Sequence, residues 1–134
     1  MQKICLPLLL CAAFLSACER PAPGQVVTVG AYTMMLGHEP DPLQVGFDAR
    51  LHLTINDRDG QPRRDCTASF RQFMPGMDMI HDNDVTAMPM DNNGVYSGAT
   101  ASFSMGGEWV LDVMLDCGEG VVNHPFTYQL EWPE

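Results

Sequence analysis

Residues 73 to 91 concentrate sulfur in a stretch that otherwise has the composition of a turn. The stretch reads FMPGMDMIHDNDVTAMPMD and contains five methionines and one histidine. Methionine thioether is a soft, neutral ligand that suits Cu(I) and binds Zn²⁺, Mg²⁺ or Ca²⁺ poorly. Because a thioether neither titrates nor forms disulfides, such residues can hold Cu(I) reversibly where cysteine would be oxidised. The stretch therefore predicts a Cu(I) site.

The candidate ligands lie in turns and on one short predicted strand. Pro75-Gly76 favours a tight turn that would bring Met74 and Met77 together. Met88 and Met90 lie two residues apart, so on a strand both would point to one face. The predicted first ligands are Met74, Met77, Met79 and His81, and the predicted second ligands are Met88, Met90 and Met105.

Two other interpretations of these methionines remain open. Methionine is an adaptable filler, so the residues could pack under a loop, and exposed methionines could form a surface for a protein partner. The polar surroundings of Met77, Met79 and His81 favour copper, because a core methionine is not usually followed by Asp-Asn-Asp. The alternative function is therefore a non-metal interaction module of the cell envelope.

The remaining residues offer no catalytic constellation, so we expect no enzyme. His38, His52 and His124 are weaker ligand candidates, and His52 is predicted to be solvated on the polar face of its strand. The formal net charge is −10, and the only lysine is Lys3. Nucleic acids and anionic lipid surfaces need clustered positive charge, so neither is an expected partner.

The N-terminus has the features of an export signal. Lys3 precedes an apolar run over residues 4–14, and Leu-Ser-Ala-Cys at 15–18 looks like a bacterial lipobox. The alternative is an ordinary signal peptide with a chance cysteine. We expect a signal over 1–17, a lipid on Cys18 with a Pro-rich tether over 18–25, and one domain over 26–134. The domain would then be lipid-anchored and face the periplasm, and Glu19 weakly favours the outer membrane.

Two cysteines remain after the signal and the lipidated residue are set aside. Cys66 and Cys117 each lie in line with the apolar face of a predicted strand, and an exported protein meets an oxidising compartment. We expect a disulfide between them that links two sheets. The alternative is a pair of thiolate metal ligands, although single cysteines so far apart lack the paired spacing of a zinc site.

Alternating apolar residues predict an all-β domain. Phe47 to Ile55 alternates with period two, as do Trp109 to Cys117 and Phe126 to Trp132. Further strands are predicted over 26–36, 85–90 and 96–103, and no segment has a helical period. About seven strands in one small domain predict an antiparallel immunoglobulin-like β-sandwich with one disulfide.

Three motifs occur in order along the domain. They are Met74-Pro75-Gly76-Met77, Gly94-Val95-Tyr96 and Met-Gly-Gly-Glu-Trp at 105–109. Over about residues 26–132, this set resembles the YtkA-like domain, a relative of the FixH-like proteins. The resemblance implies an exported, membrane-attached β-sandwich that acts in copper handling or respiratory oxidase assembly, with Met74, Met77 and Met105 as its matching methionines.

The implied partners are the membrane and a copper-receiving envelope protein or oxidase subunit. Two features depart from the family pattern. A histidine often follows the second methionine closely, whereas Met79-Ile80 precede His81 here. The pair Cys66 and Cys117 is not expected of every member.

Overall fold

The computed structural model describes residues 24–77 and 84–133, which form eight β-strands. No helix within these ranges is long and apolar enough to cross a membrane. The strands are β1 (Gln25–Val29), β2 (Tyr32–Glu39), β3 (Asp48–Asn56), β4 (Thr67–Phe73), β5 (Thr86–Met88), β6 (Thr100–Ser102), β7 (Gly107–Asp116) and β8 (Val121–Leu130).

The strands form two antiparallel sheets with the orders β1-β2-β3-β6 and β5-β4-β7-β8. Strands β2, β3 and β6 take the places of A, B and E in an immunoglobulin domain, and β4, β7 and β8 take those of C, F and G. The predicted all-β sandwich is confirmed. One additional strand arises because Gly30, at φ +59°, forms a turn that divides the predicted strand 26–36 into β1 and β2.

The core lies between the two sheets, and its residues occupy the positions that alternation predicts in β3, whereas the middle of β7 is buried on both faces. On β3 the inward side chains are at most 1% exposed, and the five predicted positions from Trp109 to Cys117, four on β7 and one just after it, are all buried. Phe47 and Trp132 were predicted to be core residues but are 61% and 63% exposed, because β3 begins at Asp48 and β8 ends at Leu130. The inward residues of β3 are Ala49, Leu51, Leu53 and Ile55.

The predicted disulfide between Cys66 and Cys117 is present, but it links neighbouring strands of one sheet. Cys66 directly precedes β4 and Cys117 directly follows β7, and the last pair of the intervening ladder is Thr67 with Asp116. The two Cα atoms lie 4.0 Å apart. The prediction of an inter-sheet bridge was wrong, because alternation indicates the face of a residue and not the strand beside it.

The disulfide marks one end of the sandwich, here called the disulfide end. The hydroxyl of Tyr96 accepts the N–H of Cys66 at 3.0 Å and donates to the carbonyl of Arg63 at 3.0 Å. The Arg63 guanidinium in turn donates to the carbonyl of Cys117 at 3.2 Å. These contacts satisfy the backbone groups on both sides of the bridge and hold the two cysteine-bearing segments together.

The opposite end is formed by residues 74–77, which follow β4, and by residues 105–107, which lead into β7 and include its first residue, and is here called the methionine end. β8 finishes there, since Leu130 pairs with Gly107. β1 starts close to this end, because the side-chain amide of Gln25 donates to the carbonyl of Thr127 at 2.9 Å. The chain therefore enters the sandwich on the side where the methionines lie.

Candidate metal site

The predicted turn at Met74-Pro75-Gly76-Met77 is present. The N–H of Met77 donates to the carbonyl of Met74 at 3.3 Å, and Gly76 has φ +79°. Proline in the second position and a left-handed glycine in the third are the features of a type II turn. Met74 is only 8% exposed, whereas Met77 is 49% exposed. The turn thus places one thioether at the edge of the core and the next in solvent.

The second methionine turn contacts the first. A Cβ on Gly107 would lie 2.9 Å from the Cε of Met74, so the methyl group of Met74 occupies the space that a side chain at position 107 would need. The indole N–H of Trp109 donates to the carbonyl of Met105 at 2.9 Å, which holds this turn against the core. Met105 itself is partly buried and packs on the core.

Strand pairing explains why these turns meet. β4 and β7 are antiparallel neighbours, with Phe73 opposite Val110. The end of β4 and the start of β7 therefore fall at the same end of the sheet, and the residues just beyond them approach each other. The role of Gly107 was not predicted. A glycine pair at a strand start is the signal that could have indicated close approach of another side chain.

Two of the predicted first ligands belong to the segment between the described ranges. Met79 and His81 lie outside the described residues, and so does Cys18, the predicted lipidation site. Their roles therefore stay predictions. Met79 is two residues and His81 four residues beyond Met77, the exposed member of the turn.

The structure does not bring Met88 and Met90 to the methionine end. β5 pairs with the first half of β4, and Met88, which is 2% exposed, lies opposite Ala68. Ala68 and Met74 are six residues apart along the chain, which corresponds to about 20 Å on a strand. Met90 pairs with Tyr96 in an isolated bridge and is 42% exposed.

The donor atoms at the methionine end limit the kind of ion that could bind. Residues 24–77 and 84–133 contain no group of three or more His, Cys, Asp or Glu that could hold a metal ion. Cys66 and Cys117 are joined in the disulfide, which removes the alternative of a thiolate pair. A shallow cavity of about 260 Å³ is lined by the turn at 74–77. Any ion held by the described residues there would depend on thioethers, which favour Cu(I).

The other histidines lie elsewhere or have partners. His38 Nδ1 lies 2.8 Å from the carbonyl of Pro40, and its ring meets that of Tyr128 edge-on, with the centroids 5.5 Å apart. Burial, with a smaller contribution from the Asp41 carboxylate, raises the pKa of Tyr128 and keeps its hydroxyl protonated. His124 packs edge-on against a phenylalanine of its own strand. These contacts fix the positions of the two rings.

Comparison with known families gives one match. The family model described as YtkA-like matches residues 27–114, about two thirds of the chain. The match includes both methionine turns, all of β2 to β6 and most of β1 and β7, but not β8. Curated proteins and solved structures give no match.

Proposed function

The chain belongs to the YtkA-like family, and from that premise we propose that it binds Cu(I) at the methionine end. It would act in copper handling or in the maturation of respiratory oxidases. Its role would be that of a carrier or a sequestering protein and not of an enzyme. Met74, Met77 and Met105 are the described ligands of this proposal, and Met79 and His81 complete it from the adjoining segment.

The contact between Met74 and Gly107 is the observation that carries the proposal. Met77 and Met105, the nearest methionines of the two motifs, are 28 positions apart in the chain. Even so, the methyl group of Met74 touches the turn that contains Met105. Thioethers from separate turns are thereby concentrated at one end of a rigid sandwich. Such an arrangement supports a shared ion better than it supports isolated packing roles.

The exposures of the three methionines suit reversible binding. Met77 is about half exposed, whereas Met74 is buried and Met105 is intermediate. An exposed thioether can meet a copper donor first, and the less exposed sulfurs can then exclude water from part of the ion. Neutral thioether ligands bind and release the ion without gaining or losing a proton, and they do not become oxidised to disulfides. The ion could therefore be passed on to another protein.

A lipid anchor on Cys18 would keep this chemistry in the cell envelope. The motif at residues 15–18 and the tether that follows it support this part of the proposal. The confirmed disulfide is also consistent with an oxidising compartment. The recipient of copper would be an envelope protein or an oxidase subunit.

A competition experiment with a coloured Cu(I) chelator tests the site. The exported domain should withdraw Cu(I) from the chelator, and Met77→Leu should weaken its affinity by about tenfold or more. Met105→Leu should have a similar effect. Met90→Leu is the matched control, because Met90 has nearly the same exposure as Met77 but lies away from the methionine end.

Leucine separates copper binding from an apolar docking role. It preserves most of the volume of methionine but cannot coordinate an ion, so a packing or partner surface should tolerate it. A domain that fails to compete for Cu(I), or whose Met77→Leu and Met105→Leu variants compete as well as the wild type, would refute the proposal. The second result would favour an interaction module.

A further inference from the structure

The outer face of the β2–β3 pair carries a cavity of about 530 Å³, on the side of the sheet that faces away from the core. Its size falls within the range of ligand-binding clefts. Here it is called the outer cavity. The residues that matter for the argument are Met35, Glu39, Asp41, His52, Asp91 and Val95.

The imidazole of His52 has an unsatisfied hydrogen-bonding atom that a ligand group could satisfy. Its side chain was predicted to be solvated but is 35% exposed, and its Nε2 atom is buried without a hydrogen-bond partner among the described residues. The nearest carboxylate oxygen is Oε1 of Glu39, 4.0 Å away, which is too far for a direct hydrogen bond. A buried imidazole nitrogen without a partner is costly, so a group that enters the cavity and donates to it would be stabilised.

The charges around the outer cavity favour a cation. Glu39, Asp41 and Asp91 line it, and among the residues that the structure describes neither an arginine nor a lysine does. Arg50 lies opposite Glu39 in the register, is exposed and does not belong to the lining. Three carboxylates around a partly enclosed space raise the local concentration of positively charged groups.

Part of the wall of the outer cavity is apolar. Met35 is 38% exposed there, and Val95 faces it from the turn that precedes β6. Val26, opposite Met35 on β1, extends this surface and is 61% exposed. An occupant that combines a methylene chain with a cationic tip could cover the apolar wall and still reach the carboxylates.

We propose that the outer cavity binds a lysine side chain of a partner protein. An ammonium nitrogen has three donors, and at about 2.8–3.0 Å from each acceptor it can bridge His52 Nε2 and Glu39 Oε1 across their gap. The four-carbon stem lies on Met35. The rest of the cavity volume, together with the exposed surface of Val26, accommodates the flanking residues of a peptide segment. This volume is larger than a small amine alone would fill.

A metal ion fits the same atoms less well. Ligand bonds to nitrogen and oxygen of about 2.0–2.2 Å place two ligands of a tetrahedral ion about 3.4 Å apart, shorter than the 4.0 Å between His52 and Glu39. A second copy of this chain is also a poor source of the ammonium group, because its only lysine is Lys3. The proposal does not depend on copper binding, since the outer cavity and the methionine end are formed by different sheets.

Titration of the ¹⁵N-labelled domain with the capped tripeptide acetyl-Ala-Lys-Ala-amide tests the proposal. Backbone resonances of Gly37, His52 and Thr54 should shift in a saturable way, while the same peptide with norleucine, which has the stem without the charge, should cause no saturable shift. Glu39→Gln should weaken binding by about tenfold or more, because it removes the negative charge that strengthens the hydrogen bond from the ammonium group. Asp59→Asn, the same change of charge in an exposed turn, should alter the affinity by less than about twofold.

Three results would overturn the proposal. The norleucine peptide could bind as tightly as the lysine peptide, or Glu39→Gln could bind like the wild type. Binding of n-butylamine as tight as that of the lysine peptide would show that the cavity takes a small amine and not a protein segment. In each case the copper-competition experiment would be unaffected, so the two proposals fail separately.

Discussion

Removal of the disulfide between Cys66 and Cys117 should cost this domain much of its stability. The two residues are 51 positions apart. A crosslink that closes a loop of this length reduces the entropy of the unfolded chain by an amount worth about 4 kcal/mol, an upper value because introduced disulfides often stabilise by less than the loop length predicts. Domains of this size are stable by only about 5–15 kcal/mol. The bridge therefore accounts for a large share of the total.

Urea unfolding of the Cys66→Ala/Cys117→Ala variant measures this contribution. With a urea dependence of about 1–2 kcal/mol per molar, the midpoint should fall by roughly 2–4 M relative to the oxidised wild type. Circular dichroism follows the loss of the strands. Because the bridge lies at the end opposite the methionine turns, the variant should still bind Cu(I) under conditions in which it is folded.

A reductant supplies the control. Dithiothreitol should shift the midpoint of the wild type close to that of the double variant and leave the double variant unchanged. If the reduced wild type unfolds at the same urea concentration as the oxidised protein, the bridge does not stabilise the fold through the unfolded chain. The reasoning from loop length would then be wrong.

Three further changes test contacts at the two ends of the sandwich. Tyr96→Phe removes two 3.0 Å hydrogen bonds at the disulfide end, one of them to the Arg63 carbonyl, and should lower the free energy of unfolding in urea by about 2–3 kcal/mol. The Arg63 guanidinium holds the pKa of Asp65 below its usual value. The ionised Asp65 therefore stabilises the fold fully above its unfolded pKa of about 4, and this stabilisation is lost as the pH falls through the lower folded pKa. The melting temperature of Asp65→Asn should consequently fall less steeply on acidification than that of the wild type, and equal slopes would contradict this. In Gly106→Ala the new Cβ would lie 2.6 Å from the Trp132 indole. Because that ring is largely exposed and can move, we expect a red-shifted tryptophan emission and a loss of about 1 kcal/mol or less in urea unfolding.

Alternation along the sequence predicted which face of a strand each residue occupies, and it did so well in the middle of strands. Ala49 to Ile55 are buried at every second position, as expected from a period of two. The errors fall at strand ends. Phe47 and Trp132 continue the alternation of their neighbours but lie just outside β3 and β8. A local period carries no information about where the hydrogen-bonded ladder stops.

Pairing between strands was less accessible to sequence reasoning. Cys66 and Cys117 were correctly predicted to be bonded, because both were left over once the predicted signal and lipidation site were set aside. Their placement in different sheets was wrong, since parity is compatible with any neighbour that faces the same core. Only the register of β4 with β7, which depends on packing over the whole domain, decides that they lie side by side.

In the candidate sites too, features set by neighbouring residues were predicted, and features that depend on strand pairing were not. The turn at Met74-Pro75-Gly76-Met77 follows from local chemistry, because proline and glycine select its type. Its contact with Gly107 depends on strand order and could not be derived locally. The outer cavity was missed altogether, because Met35 and His52 come together only through the pairing of β2 with β3.

The place where the chain enters the sandwich has a consequence for delivery. β1 begins beside β8 close to the methionine end, and only the six residues 18–23 separate that point from the membrane surface if Cys18 carries lipid as proposed. Six residues can reach across at most about 20 Å. The methionine sulfurs would then lie close to the lipid headgroups. An ion that leaves them would therefore meet an acceptor protein embedded in the bilayer sooner than an acceptor protein that diffuses freely in the periplasm.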